Sequence, residues 1–187
     1  MKSLNLIKLE NNHIEELESS FKKLNITSFQ TYFPVLSLYF NYYNNDSYRY
    51  FTLRNSCYIK NIKNKLDNQY NDSYIKNIFT ADIITDNIVE EKDVFIKINP
   101  LTDVVNHIKN DYRFVNPRLP NIFNYITNCK INSFNNTSYI DALFTYIGSY
   151  YNQKKMCPTF PEFYGTFSGI QENFRFDISE EYDDIKD

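Results

Sequence analysis

The chain has 187 residues, 42% of them hydrophobic and 23% charged, which suits one domain or one domain with a small attachment. Its net charge of −3 argues against a phosphate-backbone binder, which needs a clustered basic surface. Three widely spaced cysteines, Cys57, Cys129 and Cys157, with no CxxC pair, argue against a structural zinc site and a disulfide framework.

From Asn12 to Leu24, Ile14, Leu17, Phe21 and Leu24 recur at helical spacing and predict an amphipathic helix. Phe29 to Tyr43 is apolar and aromatic, either a buried strand pair or a helix broken at Pro34. Tyr48 to Arg54 alternates aromatic and polar residues as a half-buried strand does, and Ser56 to Ile62 is expected to pair with it. Lys63 to Asp72 reads as a surface connection, and Tyr74 to Thr85 fits strand or helix. Val94 to Ile98 is the clearest strand, with Val94, Ile96 and Ile98 on one face and Phe95 and Lys97 on the other.

Asn99-Pro100 then suggests an N-cap and first helical residue, predicting a helix to about Tyr112. Pro117 and Pro120 bracket a loop. A second long helix begins near Ser138, where Ser138-x-x-Asp141 resembles a capping box, with Tyr139, Leu143, Tyr146, Ile147 and Tyr150 as its apolar stripe. Phe163 to Phe167 reads as a strand, Ser168-Gly169 as a turn, and Phe174 to Ile178 as the returning strand. Strands and helices mixed without strict alternation predict an α+β fold with a mostly antiparallel twisted sheet. The expected division is residues 1–92, of no assigned role, and residues 93–187.

The apolar supply comes from 17 Tyr and 16 Phe, with no Trp, three Gly and only Ala81 and Ala142. Asn, Ile, Lys, Tyr and Phe have AT-rich codons, so the bias reads as genome composition before it reads as a stacking surface. It points to an AT-rich virus, protist or bacterium. The N-terminus, Met-Lys-Ser-Leu-Asn, has no signal-peptide pattern, and no apolar run reaches membrane-spanning length, so an intracellular location and no membrane partner are expected.

Few side chains suggest chemistry. His13 and Glu16 lie three apart on the first helix, but two ligands without a third are better explained as an exposed polar face. His107 follows Asp103 by four residues, where a helical hydrogen bond is natural. Lys60, Lys63, Lys65 and Lys76 are interrupted by Asp67 and Asp72 and read as a solvated face. Lys97, at the end of a buried-looking strand, pairs with a carboxylate, reaches a phosphate, or snorkels from a sheet edge.

Two segments carry a resemblance. Val94-Phe95-Ile96-Lys97-Ile98-Asn99-Pro100-Leu101, and Cys157-Pro158-Thr159-Phe160-Pro161-Glu162-Phe163-Tyr164-Gly165-Thr166-Phe167, resemble segments of protein-kinase-like (serine/threonine kinase-like) proteins of large nucleocytoplasmic DNA viruses. The resemblance covers roughly Asp93 to Asp187 and implies a kinase N-terminal lobe, whose third strand carries Val-Ala-Ile-Lys. By position, Lys97 would contact the phosphates of ATP bound with Mg. Asp141, on the long helix before the second of these segments, would be the acidic partner, an Asp where the family has Glu.

Three departures limit the activity so implied. No glycine precedes Gly148, so the Gly-rich phosphate loop is missing. Phe95 replaces the small Ala beside the adenine. The chain has neither a His-Arg-Asp catalytic loop nor an Asp-Phe-Gly element. No catalytic residue and no metal ligand is therefore assigned. The expectation is a truncated or divergent kinase-like N-terminal region, completed by a C-terminal lobe or a protein partner, in host cytoplasm or virion. The alternative is a non-enzymatic viral structural or interaction protein.

Overall fold

In a computed structural model, the described residues are 6–39, 48–53, 56–65, 77–109, 112, 122–175, 178–179 and 182. Two compact units are drawn from interleaved parts of the chain: Met1–Ile98 with Ala142–Glu172, and Asn99–Asp141 with Asn173–Asp187. Both helices and antiparallel strands are present, an α+β fold.

The first unit begins with β1 (Leu6–Lys8) and α1 (Asn11–Lys23). Ile14, Leu17 and Phe21 line the inner face of α1, and Leu17 is 0% exposed. Burying each such side chain contributes about 2 kcal/mol. The helix stops at Asn25, which takes the left-handed conformation (φ 58°) and donates its amide to the Lys22 carbonyl at 3.0 Å. Asn tolerates that conformation better than most residues. Next come β2 (Ile26–Gln30), a 3₁₀ turn (Pro34–Tyr39) and, after a second 3₁₀ turn, β3 (Phe51–Leu53). β1 pairs with β3.

The main sheet is an antiparallel meander of β4 (Cys57–Lys65), β5 (Ile78–Thr85) and β6 (Ile88–Phe95). Thr85 and Ile88 are joined by Asp86 and Asn87, both at positive φ (49° and 67°). That is the two-residue turn whose twist matches a hairpin, and Asp and Asn are residues that accept it. α1 covers one face of this sheet. Its side chains form one core with Cys57, Ile59, Phe79, Ala81, Ile83 and Val94. Phe167 closes the core over Phe21 and Phe29, with ring centroids 4.9 and 5.5 Å away.

The second unit holds α2 (Val104–Ile108), α3 (Ile122–Ile131) and the first turn of α4 (Thr137–Gln153), whose later turns belong to the first unit. β7 (Ser168–Gln171) returns to pair with β2, with a register shift where Ser28 adopts φ 54°.

Several local expectations are corrected. Among the described residues, Ser56 to Ile62 does not pair with Tyr48 to Leu53, and Arg54 lies outside them. β3 pairs with β1 and β4 with β5, because β4's alternating Cys57 and Ile59 belong to the core under α1. The segment after Lys97 does not start a helix at Pro100. The cap is Asp103, whose carboxylate accepts the Asn106 amide at 3.1 Å.

Phe163 to Phe167 is not a strand and Ser168-Gly169 is not a turn. Ser168 to Gln171 is the strand, and Glu172-Asn173 the turn, with Asn173 at φ 55°. Phe174 and Arg175, expected in the returning strand, are not in a strand. Lys76, Asp67, Asp72, Pro117 and Pro120 lie outside the described residues.

Candidate functional site

Lys97 lies two residues beyond the end of β6 and is exposed. Val94 is buried, Ile96 packs against the core, and the alternate residues face solvent, with Phe95 62% exposed. The two-faced pattern is as the sequence indicates, but the strand runs earlier, from Ile88, and stops at Phe95. The Ile96 amide still donates to the Asn77 carbonyl at 2.8 Å, holding the chain in line with β5 just before Lys97.

Asp141 is half-buried, one turn into α4, and accepts a hydrogen bond from the Asn99 amide group at 3.4 Å. It does not complete a capping box. The cap is Asn136, buried, whose Oδ1 accepts the Ser138 amide at 3.1 Å. The Asn136 Nδ2 donates to the carbonyls of Leu101 (2.8 Å) and Lys130 (3.2 Å), and the Ser138 hydroxyl donates to the Pro100 carbonyl at 3.0 Å. The start of α4 therefore anchors Asn99 to Leu101. Behind it, the Tyr139 hydroxyl donates to the Ile131 carbonyl at 2.8 Å, and burial pushes its pKa up to about 12.

His13 and Glu16 do not form a simple exposed face. Both are half-buried and point to different partners. The His13 Nε2 lies 2.9 Å from the Ile59 carbonyl oxygen, and Glu16 approaches Lys60 at 3.8 Å. His13 borders a cavity of about 20 Å³ that Leu17, Tyr58, Gly165 and Phe167 also line, room for about one water. His107 is exposed, and its expected partner Asp103 is occupied by the helix cap. Among the described residues, no group of three or more His, Cys, Asp or Glu is arranged to hold a metal ion.

Two of the lysines that read as a solvated face, Lys60 and Lys63, have acidic partners. Lys63 Nζ lies 2.6 Å from both Asp82 and Glu91, bridging the three strands of the main sheet on the face away from α1. Hydrogen bonds to Asp82, then Glu91, raise the Lys63 pKa. Nothing in the local spacing revealed this, because the partners come from two later strands.

Cys57 is buried beside Gln153, and burial, then the nearby Glu162 charge, pushes its thiol pKa up. α4 carries one charged residue, Asp141, in 17. Phe144, Ile147 and Tyr151, at helical spacing, are turned to solvent opposite buried Tyr146 and Ser149. No helix of the described residues is long and apolar enough to cross a membrane. No protein family, curated protein or solved structure matches the chain.

Proposed function

We propose that the chain is a divergent protein-kinase-like N-terminal region, of the kind found in large nucleocytoplasmic DNA viruses. In this reading Lys97 contacts the phosphates of magnesium-bound ATP, and Asp141, on the long helix α4, is its acidic partner. The observation that supports it is the position of Lys97: it follows the third strand of an antiparallel meander, β4-β5-β6, and the kinase lysine belongs to a third strand. Phosphoryl transfer would still require a catalytic base and magnesium ligands from a C-terminal lobe or partner, because this chain has no His-Arg-Asp or Asp-Phe-Gly element.

The test is thermal unfolding with and without magnesium-ATP. The expected result is a rise in Tm that is lost in Lys97→Met and reduced in Asp141→Asn. Equal behaviour of native chain and Lys97→Met would overturn the reading.

A second reading, a non-enzymatic interaction protein, is favoured by the outer face of α4. Phe144 is 67% and Tyr151 42% exposed on a helix nearly devoid of charge. A helix apolar on opposite faces is normally buried on both. Self-association or partner capture that Phe144→Glu abolishes, without a nucleotide response, would select this reading over the first.

A further inference from the structure

The two long edges of the main sheet are treated differently. On β4 the outward backbone groups are occupied. The Ile59 amide donates to the Tyr164 carbonyl at 2.9 Å, the Ile59 carbonyl meets His13 Nε2, and the Ile62 amide donates to the Ser20 hydroxyl at 3.1 Å. β6 is the other edge. The two-residue turn makes Thr85 and Ile88 a hydrogen-bonded pair. Alternation then points the backbone groups of Ile88, Glu90, Lys92 and Val94 toward β5, which agrees with the Ile96 amide bonding Asn77. The amides and carbonyls of Val89, Glu91, Asp93 and Phe95 point outward. Among the described residues no hydrogen bond reaches them.

The side chains of these four residues share the face away from α1, in the order apolar, acidic, acidic, apolar. Val89 is 50% exposed, and Glu91 and Asp93 are exposed as well. A second copy is a poor occupant. Antiparallel self-pairing centred on Glu91, on Asp93 or between them sets carboxylate directly against carboxylate, which is destabilising.

We infer that β6 is a docking edge for an extended segment of a basic partner protein. The segment adds as a fourth strand whose alternate residues read apolar, Lys/Arg, Lys/Arg, apolar. Backbone hydrogen bonds would supply the addition; Glu91 already holds Lys63 at 2.6 Å, so the basic residue opposite Asp93 supplies most of the selectivity and the one opposite Glu91 adds to it. The segment adds antiparallel, the direction in which a residue directly opposite Glu91 or Asp93 exchanges both backbone hydrogen bonds with it. This inference does not rest on nucleotide binding or on the face of α4.

The probe is an end-capped synthetic peptide alternating Thr with Val, Lys, Lys and Phe, followed by amide hydrogen exchange of the full chain. In the free chain, the amides of Val89, Glu91, Asp93 and Phe95 should exchange about tenfold or more faster than those of Glu90, Lys92 and Val94. Saturating peptide should slow the outward set by about tenfold and leave the inward set unchanged. The same peptide with Glu for Lys, or with N-methylated Lys amides, should do nothing. Asp93→Lys should weaken binding about tenfold, a loss of one decade in Kd.

Outward amides already slow in the dilute free chain would overturn the inference, since the edge would then be covered by the chain itself. So would slowing that grows with chain concentration alone, which marks a second copy, or equal protection by the Glu peptide. The peptide variants keep the test decisive even if Asp93→Lys fails to fold.

Discussion

Ser20 on α1 accepts a hydrogen bond from the backbone amide of Ile62 on β4, at 3.1 Å across 42 positions of sequence. Its hydroxyl proton goes to the Glu16 carbonyl one helical turn back, at 2.9 Å. One small side chain therefore ties the helix to the strand and satisfies an amide that points outward from the edge of β4. Ser20→Ala leaves that buried amide unpaired and should destabilise the chain by about 1–3 kcal/mol. Urea unfolding measures it, and a loss within experimental error of zero would mean the amide finds another partner.

Gly169→Ala should loosen the pairing of β2 with β7. A Cβ at this position would stand 2.9 Å from the Thr27 carbonyl oxygen and closer still to the Ile26 side chain. Backbone cannot yield as a side-chain tip does. A cost of about 1–3 kcal/mol is expected, as for other overpacked sites. Faster exchange of the Ile26 and Thr27 amides would localise it.

Lys63 ties stability to alkaline pH. Its pKa is raised above the ordinary 10.5 by hydrogen bonds to Asp82 and Glu91. A base whose pKa is higher folded than unfolded stabilises fully below the unfolded value, and that contribution fades as pH climbs through the folded one. The native chain should therefore be more stable than Lys63→Met at pH 9, and the gap should close above pH 10.5. High salt should narrow it too, since the group is exposed. A gap independent of both pH and salt would mean the methionine acts through packing instead.

Cys57 should resist alkylation in the folded chain. Its thiol is buried and its pKa raised, so little thiolate forms and little of it is reachable. Cys129 is exposed. Iodoacetamide at pH 8 should label Cys129 about tenfold or more faster than Cys57, with the difference vanishing in urea. Equal labelling before unfolding would contradict the packing of Cys57 beneath α1.

The helix period of Ile14, Leu17 and Phe21 identified α1 within a residue at each end, because it reflects one continuous buried face. Val94 and Ile96 likewise revealed the inward face of β6. The pairing of strands was not legible in the same way. β3 and β4 are neighbours in sequence but belong to different sheets, and local alternation carries no information about which edge a strand meets. α3 has no such signature, because Ile122, Tyr125 and Ile126 are exposed and the apolar positions of the helix do not mark its buried face.

Of the proposed site, Lys97 was legible as a basic residue on the outward face at a strand end. Asp141 was legible only as an acid at a helix start. Its hydrogen bond with Asn99 and the cap supplied by Asn136 depend on chain segments brought together by folding. The bridge from Lys63 to Asp82 and Glu91 was hidden for the same reason.

The union of β2 with β7 has a cost in time. Thr27 and Ile170, joined by a side-chain hydrogen bond, are 143 residues apart in the chain. At about 5–20 residues per second, a ribosome needs on the order of ten seconds between making the first and making the second. During that interval Phe29 has no Phe167 to pack against, and β2 shows its unpaired backbone to the cell. A nascent chain of this design should depend on a holding chaperone until β7 emerges, more than the small size of its sheets suggests.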